Sequence, residues 1–150
     1  MAEKPINQYF TGTYLHTIDD HGRVALPSKL RERLGDSIMV TKGRGACLKV
    51  YPEHKWTTTA DALLSTPGVD VAEDERRLDY FGDSWPGDVD KQGRVSLPDY
   101  LRSDAGLGTD VAIVGAGDNI QIWDKDAWIA RRAAQRQAQS GARPDDKTAQ

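Results

Sequence analysis

The sequence predicts an α+β, strand-rich fold built from two copies of one short unit. Three observations predict it. An ordered internal repeat runs through the chain, both copies share one grammar of strands and short helices, and each unit is too short to bury a core by itself. Ile18–Gly35 reads IDDHGRVALPSKLRERLG and Val89–Gly106 reads VDKQGRVSLPDYLRSDAG, at an offset of 71 without gaps. Nine of the 18 positions are identical: Asp19/Asp90, Gly22/Gly93, Arg23/Arg94, Val24/Val95, Leu26/Leu97, Pro27/Pro98, Leu30/Leu101, Arg31/Arg102 and Gly35/Gly106. After a small gap, Ile38–Thr41 answers Val111–Val114, Leu48–Tyr51 answers Ile120–Trp123, and Trp56 answers Trp128. Units of about 45 residues bury too little apolar surface to fold alone, so the two copies are expected to share one core.

Each element follows from its residues. Tyr14–Ile18 is a short strand, and Asp19–Gly22 is a turn in which glycine supplies a positive φ at low steric cost. Arg23–Leu26 is a second strand with Val24 and Leu26 on one face, and Pro27 ends it because proline cannot donate to a ladder. Ser28 and Asp99 are expected as N-caps, with Lys29–Leu34 a short helix and Gly35 and Gly106 just past the helix ends. A β-hairpin follows, turning at Lys42–Ala46 in the first copy and Gly115–Asn119 in the second. A closing helix begins with Pro52 at N1 in the first copy and Asp124 as N-cap in the second. Trp56, Ala60, Leu63 and Leu64 fall at helical spacing and predict a core-facing stripe.

The organisation that results is a flexible lead over 1–9, a first repeat over 10–65, a linker and middle helix over 66–82, and a second repeat over 83–130. Ser65–Gly68 is a loop, Val71–Phe81 reads as the middle helix, and Gly82–Gly87 breaks it. Residues 131–150 are a helix extension, Arg131–Gln137, and then a tail from Ala138 that reads as disordered, with no apolar residue larger than alanine.

Charge bounds the partners. The 150 residues carry 20 basic and 23 acidic side chains, net −3, which does not match a uniformly basic DNA coat. The balance is uneven: residues 1–56 are net +3, 57–90 net −7, 91–124 net −2 and 125–150 net +3. At about 0.15 M salt the Debye length is ~8 Å, so local charge outweighs net charge at a contact. The first copy is therefore expected to offer a positive face. One cysteine, Cys47, gives no internal disulfide and no cysteine-based zinc site. MAEKPINQYF has no apolar h-region and no run approaches 18 apolar residues, so a soluble cytoplasmic protein is expected, with no membrane partner.

The sharpest feature is the repeated Asp-x-x-Gly-Arg. A glycine turn fixes the backbone, and the arginine projects from the start of a strand. Its planar guanidinium suits phosphate oxygens or the O6/N7 edge of guanine. Asp19 and Asp90 can accept from backbone N–H groups and so set the turns with Gly22 and Gly93, and can also orient Arg23 and Arg94. Pairing of these arginines with the aspartates inside the fold is an equally open reading.

These residues carry a resemblance. Phe10-x-Gly12, Ile18-Asp19-x-x-Gly22-Arg23-Val24-x-Leu26-Pro27, Tyr51-Pro52-Glu53-x-x-Trp56, the second Asp90-x-x-Gly93-Arg94-Val95-x-Leu97-Pro98, Leu101-Arg102-x-x-Ala105-Gly106-Leu107 and Ile122-Trp123-x-x-x-x-Trp128 resemble the MraZ family of bacterial transcriptional regulators. More broadly they resemble the AbrB/MazE swapped-hairpin DNA-binding fold. The resemblance runs from about Phe10 to Trp128. It implies two intertwined swapped-hairpin, AbrB-like repeats in a pseudo-symmetric double-psi-type β-barrel with short peripheral helices. It also implies a ring-like homo-oligomer, associated with the nucleoid, that binds short G-rich direct repeats in double-stranded DNA upstream of its own division and cell-wall operon, mainly as a repressor. Carried over, the DNA-meeting arginines are Arg23 and Arg94, with His21, Lys91 and Gln92 on the same turns. No cofactor, metal or small-molecule substrate is implied.

The chain departs from the family in a longer lead before Phe10 and in His21 and Gln92, where many relatives place lysine before the first-copy glycine. A neutral His21 gives or takes one hydrogen bond, and a protonated one adds charge. Lys42 and Arg44 in the first hairpin turn read first as a solvent-exposed turn, and Arg131, Arg132 and Arg136 as a solvated helical face. Three rivals stand beside the regulator. An enzyme finds no His-Glu-x-x-His, Gly-x-Ser-x-Gly or phosphate-loop pattern, and His16, His21 and His54 are dispersed. An antitoxin of the MazE type would share the head but carry one repeat and an apolar-anchored tail. A structural assembly protein would bury both arginines in ion pairs.

Overall fold

The computed structural model describes residues 8–67 and 70–141. The first repeat supplies β1 (Thr13–Thr17), β2 (Arg23–Ala25), α1 (Ser28–Leu34), β3 (Ser37–Lys42), β4 (Cys47–Pro52) and α2 (Glu53–Ser65). α3 (Val71–Gly82) follows. The second repeat supplies β5 (Ser84–Asp88), β6 (Arg94–Ser96), α4 (Asp99–Ala105), β7 (Asp110–Gly115), β8 (Ile120–Asp124) and α5 (Lys125–Gly141). The fold is α+β and rich in strands.

Six strands form one antiparallel sheet in the order β1-β7-β8-β4-β3-β5, and β2 pairs with β6 in a separate ribbon. The sheet is open, with β1 and β5 as its edges. Exchanging the two repeats leaves every pairing in place. β1 lies on β7 of the other repeat as β5 lies on β3, and the β4–β8 and β2–β6 pairs map onto themselves. Each repeat thus lends its first strand to the other's hairpin.

The burial pattern explains why. In β2 and β6 only Val24 and Val95 point inward, and each is fully buried. Leu30 and Leu101 of the short helices are also fully buried, beside Ile38, Leu48, Val50, Val111, Ile113, Ile120 and Ile122. These residues belong to one cluster drawn from both repeats. The shared core follows from the size of the units, since burial of apolar area is the main favourable term in folding.

Helix ends differ from the sequence expectation in a regular way. Pro27 and Pro98, not Ser28 and Asp99, occupy the N-cap positions, with φ near −55° and ψ near 140°, and neither helix has a side-chain cap. Proline's locked φ suits the extended cap residue, and Ser28 and Asp99 become the first helical residues. Pro52 likewise caps α2 (φ −57°, ψ 142°) instead of standing at N1, because it still pairs with Ile38 as the last residue of β4. Asp124 behaves as expected, accepting from Ala127 N–H at 3.1 Å.

Along α2, Ala60 is buried and Trp56 and Leu63 are half-buried, but Leu64 is 51% exposed. Burial fades toward the carboxyl end of α2, so the expected stripe stops one residue early. Trp56 stacks on Tyr80 of α3 with ring centres 5.6 Å apart and donates to Ser84 Oγ at 3.1 Å, which ties α2 to α3 and β5. α5 runs on through Ala138 to Gly141, past the point where the tail was expected to begin. Alanine, arginine and glutamine are strong helix formers, and the helix persists there with no buried residue. The lead before residue 8 and the tail beyond Gly141 lie outside the described residues. Among the described residues no helix is long and apolar enough to cross a membrane.

Candidate nucleic-acid interface

The two Asp-x-x-Gly-Arg segments fold into the same turn. Gly22 N–H donates to Asp19 O at 3.0 Å and Gly93 N–H to Asp90 O at 2.9 Å. Both glycines hold φ near +75°, where an L side chain is strained. Each aspartate clamps its turn. Asp19 Oδ1 accepts from the N–H groups of His21 and Arg23, both at 2.9 Å. Asp90 Oδ1 accepts from those of Gln92 (2.9 Å) and Arg94 (2.8 Å).

The second carboxylate oxygen orients the arginine. Arg23 Nε donates to Asp19 Oδ2 at 3.0 Å and Arg94 Nε to Asp90 Oδ2 at 2.9 Å. The ion pairs that the sequence left open are therefore present, but they engage Nε. The arginine side chains keep 30% and 28% of their exposure, so they are not locked inside the fold. Backbone hydrogen bonds, from Arg23 and Arg94 above all, hold the Asp19 and Asp90 carboxyls below the usual aspartate range against a smaller opposing effect of desolvation. Both carboxylates stay charged, and the turns stay clamped, at neutral pH.

The β2–β6 ribbon brings the two turns together. Leu97 N–H donates to Gly22 O and Leu26 N–H to Gly93 O, each at 2.9 Å. Arg94 Nη1 reaches within 4.0 Å of Asp19 Oδ2, so the turns touch electrostatically across the pseudo-axis. His21, Lys91 and Gln92 are exposed on the turns. Every site residue expected from the sequence thus lies on one paired feature.

Three of the other candidate cations, Lys42, Arg131 and Arg132, have partners elsewhere. Lys42 pairs with Asp104 at 3.4 Å, and Arg44 is exposed at the β3–β4 turn. Arg131 lies over Trp123 and Trp128, 5.6 and 5.4 Å from the ring centres, and Arg132 over Trp128 at 5.6 Å. That face is solvated, as expected, but also stacked. Arg31 and Arg102 are identical between the two copies, and the sequence alone assigns them no role. The structure sets each against the turn glycine of the opposite repeat. Their conservation between the two copies was the available signal.

The family model described as MraZ protein, a description that adds the words antitoxin-like, matches residues 9–79 and 86–150. The chain belongs to the MraZ family. A relative named transcriptional regulator MraZ, from Heliobacterium modesticaldum, is 39% identical over 119 residues, covering 79% of this chain and 83% of that protein. One of the same name from Lachnoclostridium phytofermentans is 40% identical over 119 residues, covering 79% and 84%. A third, from Limosilactobacillus fermentum, is 35% identical over 125 residues, covering 83% and 87%. The MraZ match spans both copies of the turn, so the duplicated site belongs to the part of the chain the family shares.

Proposed function

We propose that this MraZ-family chain is a transcriptional regulator that binds double-stranded DNA in a sequence-specific way through its paired turns. The observation that carries the reading is the geometry of Arg23 and Arg94. Each is clamped by Nε to an aspartate while its guanidinium remains part-exposed on a ribbon that sets the two turns side by side. Pre-orientation lowers the entropy of ordering a long side chain at a groove. The name shared by the relatives supports the same reading. In it, Arg23 and Arg94 meet base edges or phosphates, and His21, Lys91 and Gln92 add contacts from the turns.

The finer reading is a ring-like homo-oligomer, nucleoid-associated, acting mainly as a repressor on short direct repeats in its own promoter, ahead of division and cell-wall genes. The crossed pairing of β1 and β5 supports the intertwined, swapped-hairpin arrangement of two AbrB-like repeats. Self-association is supported by apolar side chains left exposed on the two edge strands, Leu15 at 60% and Trp85 at 45%. Exposed sheet edges are ready to pair. Several turns on one assembly would bind tandem sites at raised effective concentration.

An electrophoretic shift with DNA from immediately upstream of the gene tests the reading. Arg23→Ala and Arg94→Ala should each weaken binding by roughly 1–3 kcal/mol for a base contact. If the contacts are to phosphate alone, the loss is the same on every sequence and the salt slope is shallower. Unchanged affinity in both variants, with native melting curves, would remove it. Co-purification of a small toxin would favour the antitoxin reading instead.

A further inference from the structure

Each turn is completed by an arginine from the other repeat. A Cβ on Gly22 would stand 2.7 Å from Nη2 of Arg102, and one on Gly93 would overlap Nη1 of Arg31 and stand 2.7 Å from its Cζ. The turn Asp90–Arg94 is therefore backed by α1, and the turn Asp19–Arg23 by α4. The two composite sites have the same backbone but different electrostatics.

Arg102 is neutralised. Its Nη2 pairs with Asp99, and its Nε donates to Leu97 O at 3.1 Å. Ser28 occupies the position of Asp99 in the first repeat. Among the described residues Arg31 has neither an ion pair nor a side-chain hydrogen bond, and it is part-exposed. The surroundings widen the difference. Turn Asp90–Arg94 carries one acid and two bases (Lys91, Arg94), and α1 carries one acid and three bases, so together they are net +3, or +2 once Asp19, 4.0 Å from Arg94 Nη1, is counted with them. Turn Asp19–Arg23 carries two acids and one base, and α4 carries two acids and one base, so together they are net −2. Of the bases in residues 1–56, α1 brings Arg31 to the turn of the second repeat.

We propose that Arg31, with Lys91 and Arg94, forms a composite phosphate-binding site on the second-repeat turn, and that this site supplies more of the hold on the duplex backbone than the first-repeat turn does. The inference rests on the DNA-binding reading above. Arg31's unpaired guanidinium suits a phosphate oxygen, and within a Debye length of about 8 Å the local charge decides the attraction. The first-repeat turn, with Asp20 beside His21 and Asp99 on Arg102, is left to contacts that do not depend on net positive charge.

The test is fluorescence anisotropy of the full chain across a series of potassium chloride concentrations. The probes are a labelled duplex from upstream of the gene and a scrambled duplex of equal length. Arg31→Gln should weaken binding to both duplexes and reduce the salt slope by about one, the signature of one lost phosphate contact. Arg31→Lys should keep most of that slope, and Arg102→Gln should reduce it by less than Arg31→Gln does. Arg31→Gln with wild-type slope and affinity, while Arg94→Ala is impaired, overturns the composite site and leaves the DNA reading standing. Equal losses in Arg31→Lys and Arg31→Gln also overturn it, because the role is then packing. Wild-type binding by both Arg23→Ala and Arg94→Ala removes the DNA reading itself.

Discussion

Gly93 answers to two constraints at once. Its φ of +78° disfavours any side chain, and the space its Cβ would need is filled by Arg31. Gly93→Ala should cost about 1–3 kcal/mol from backbone strain, measured by denaturant unfolding. Part of the cost is the collision with a flexible side chain, so Gly93→Ala combined with Arg31→Ala should lose less than the sum of the two single changes. Additive losses would mean that Arg31 does not lie against the turn in solution. The aspartates give a pH signature. The folded carboxyls of Asp19 and Asp90 titrate below their ordinary value of 3.8, so the stability they contribute is complete above that value and is lost as pH falls through the lower, folded one. Melting temperature followed from pH 5 to pH 2 should fall less steeply in Asp90→Asn than in the wild type. An identical acid limb would show that the clamp contributes nothing.

At the scale of the element, legibility followed the strength of the local signal. Glycine turns, the hairpins and α3 stand where the residues predict them, because glycine at positive φ and helical spacing are local properties. Helix starts were misplaced by one residue where proline competes with serine or aspartate for the cap, since proline fits the extended cap position as well as the first turn. α5 outran its expected end because an exposed helix of alanine, arginine and glutamine needs no apolar stripe. In the site, the clamp of Asp19 on Arg23 was readable from a spacing of four residues. The placement of Arg31 on Gly93 was not, because that contact depends on how β2 meets β6 and on which repeat's helix backs which turn.

The whole molecule should behave as one cooperative unit. Leu30 and Leu101 come from different repeats, are both fully buried, and sit in one core. Leu30→Ala should cost about 2–5 kcal/mol. Because the core is common, circular dichroism and tryptophan fluorescence should report a single coincident unfolding transition for the wild type and for this variant. Two separated transitions would show that the halves fold independently.

The crossing of β1 onto β7 and of β5 onto β3 has one more consequence. A lone half of this polypeptide would lack the strand that completes its own hairpin and would have to borrow it from a twin. Tandem fusion makes that loan intramolecular, so assembly of the unit does not weaken on dilution. It also frees the halves to diverge, and Ser28 opposite Asp99, Lys29 opposite Tyr100 and Arg33 opposite Asp104 give the two turns supports of different charge.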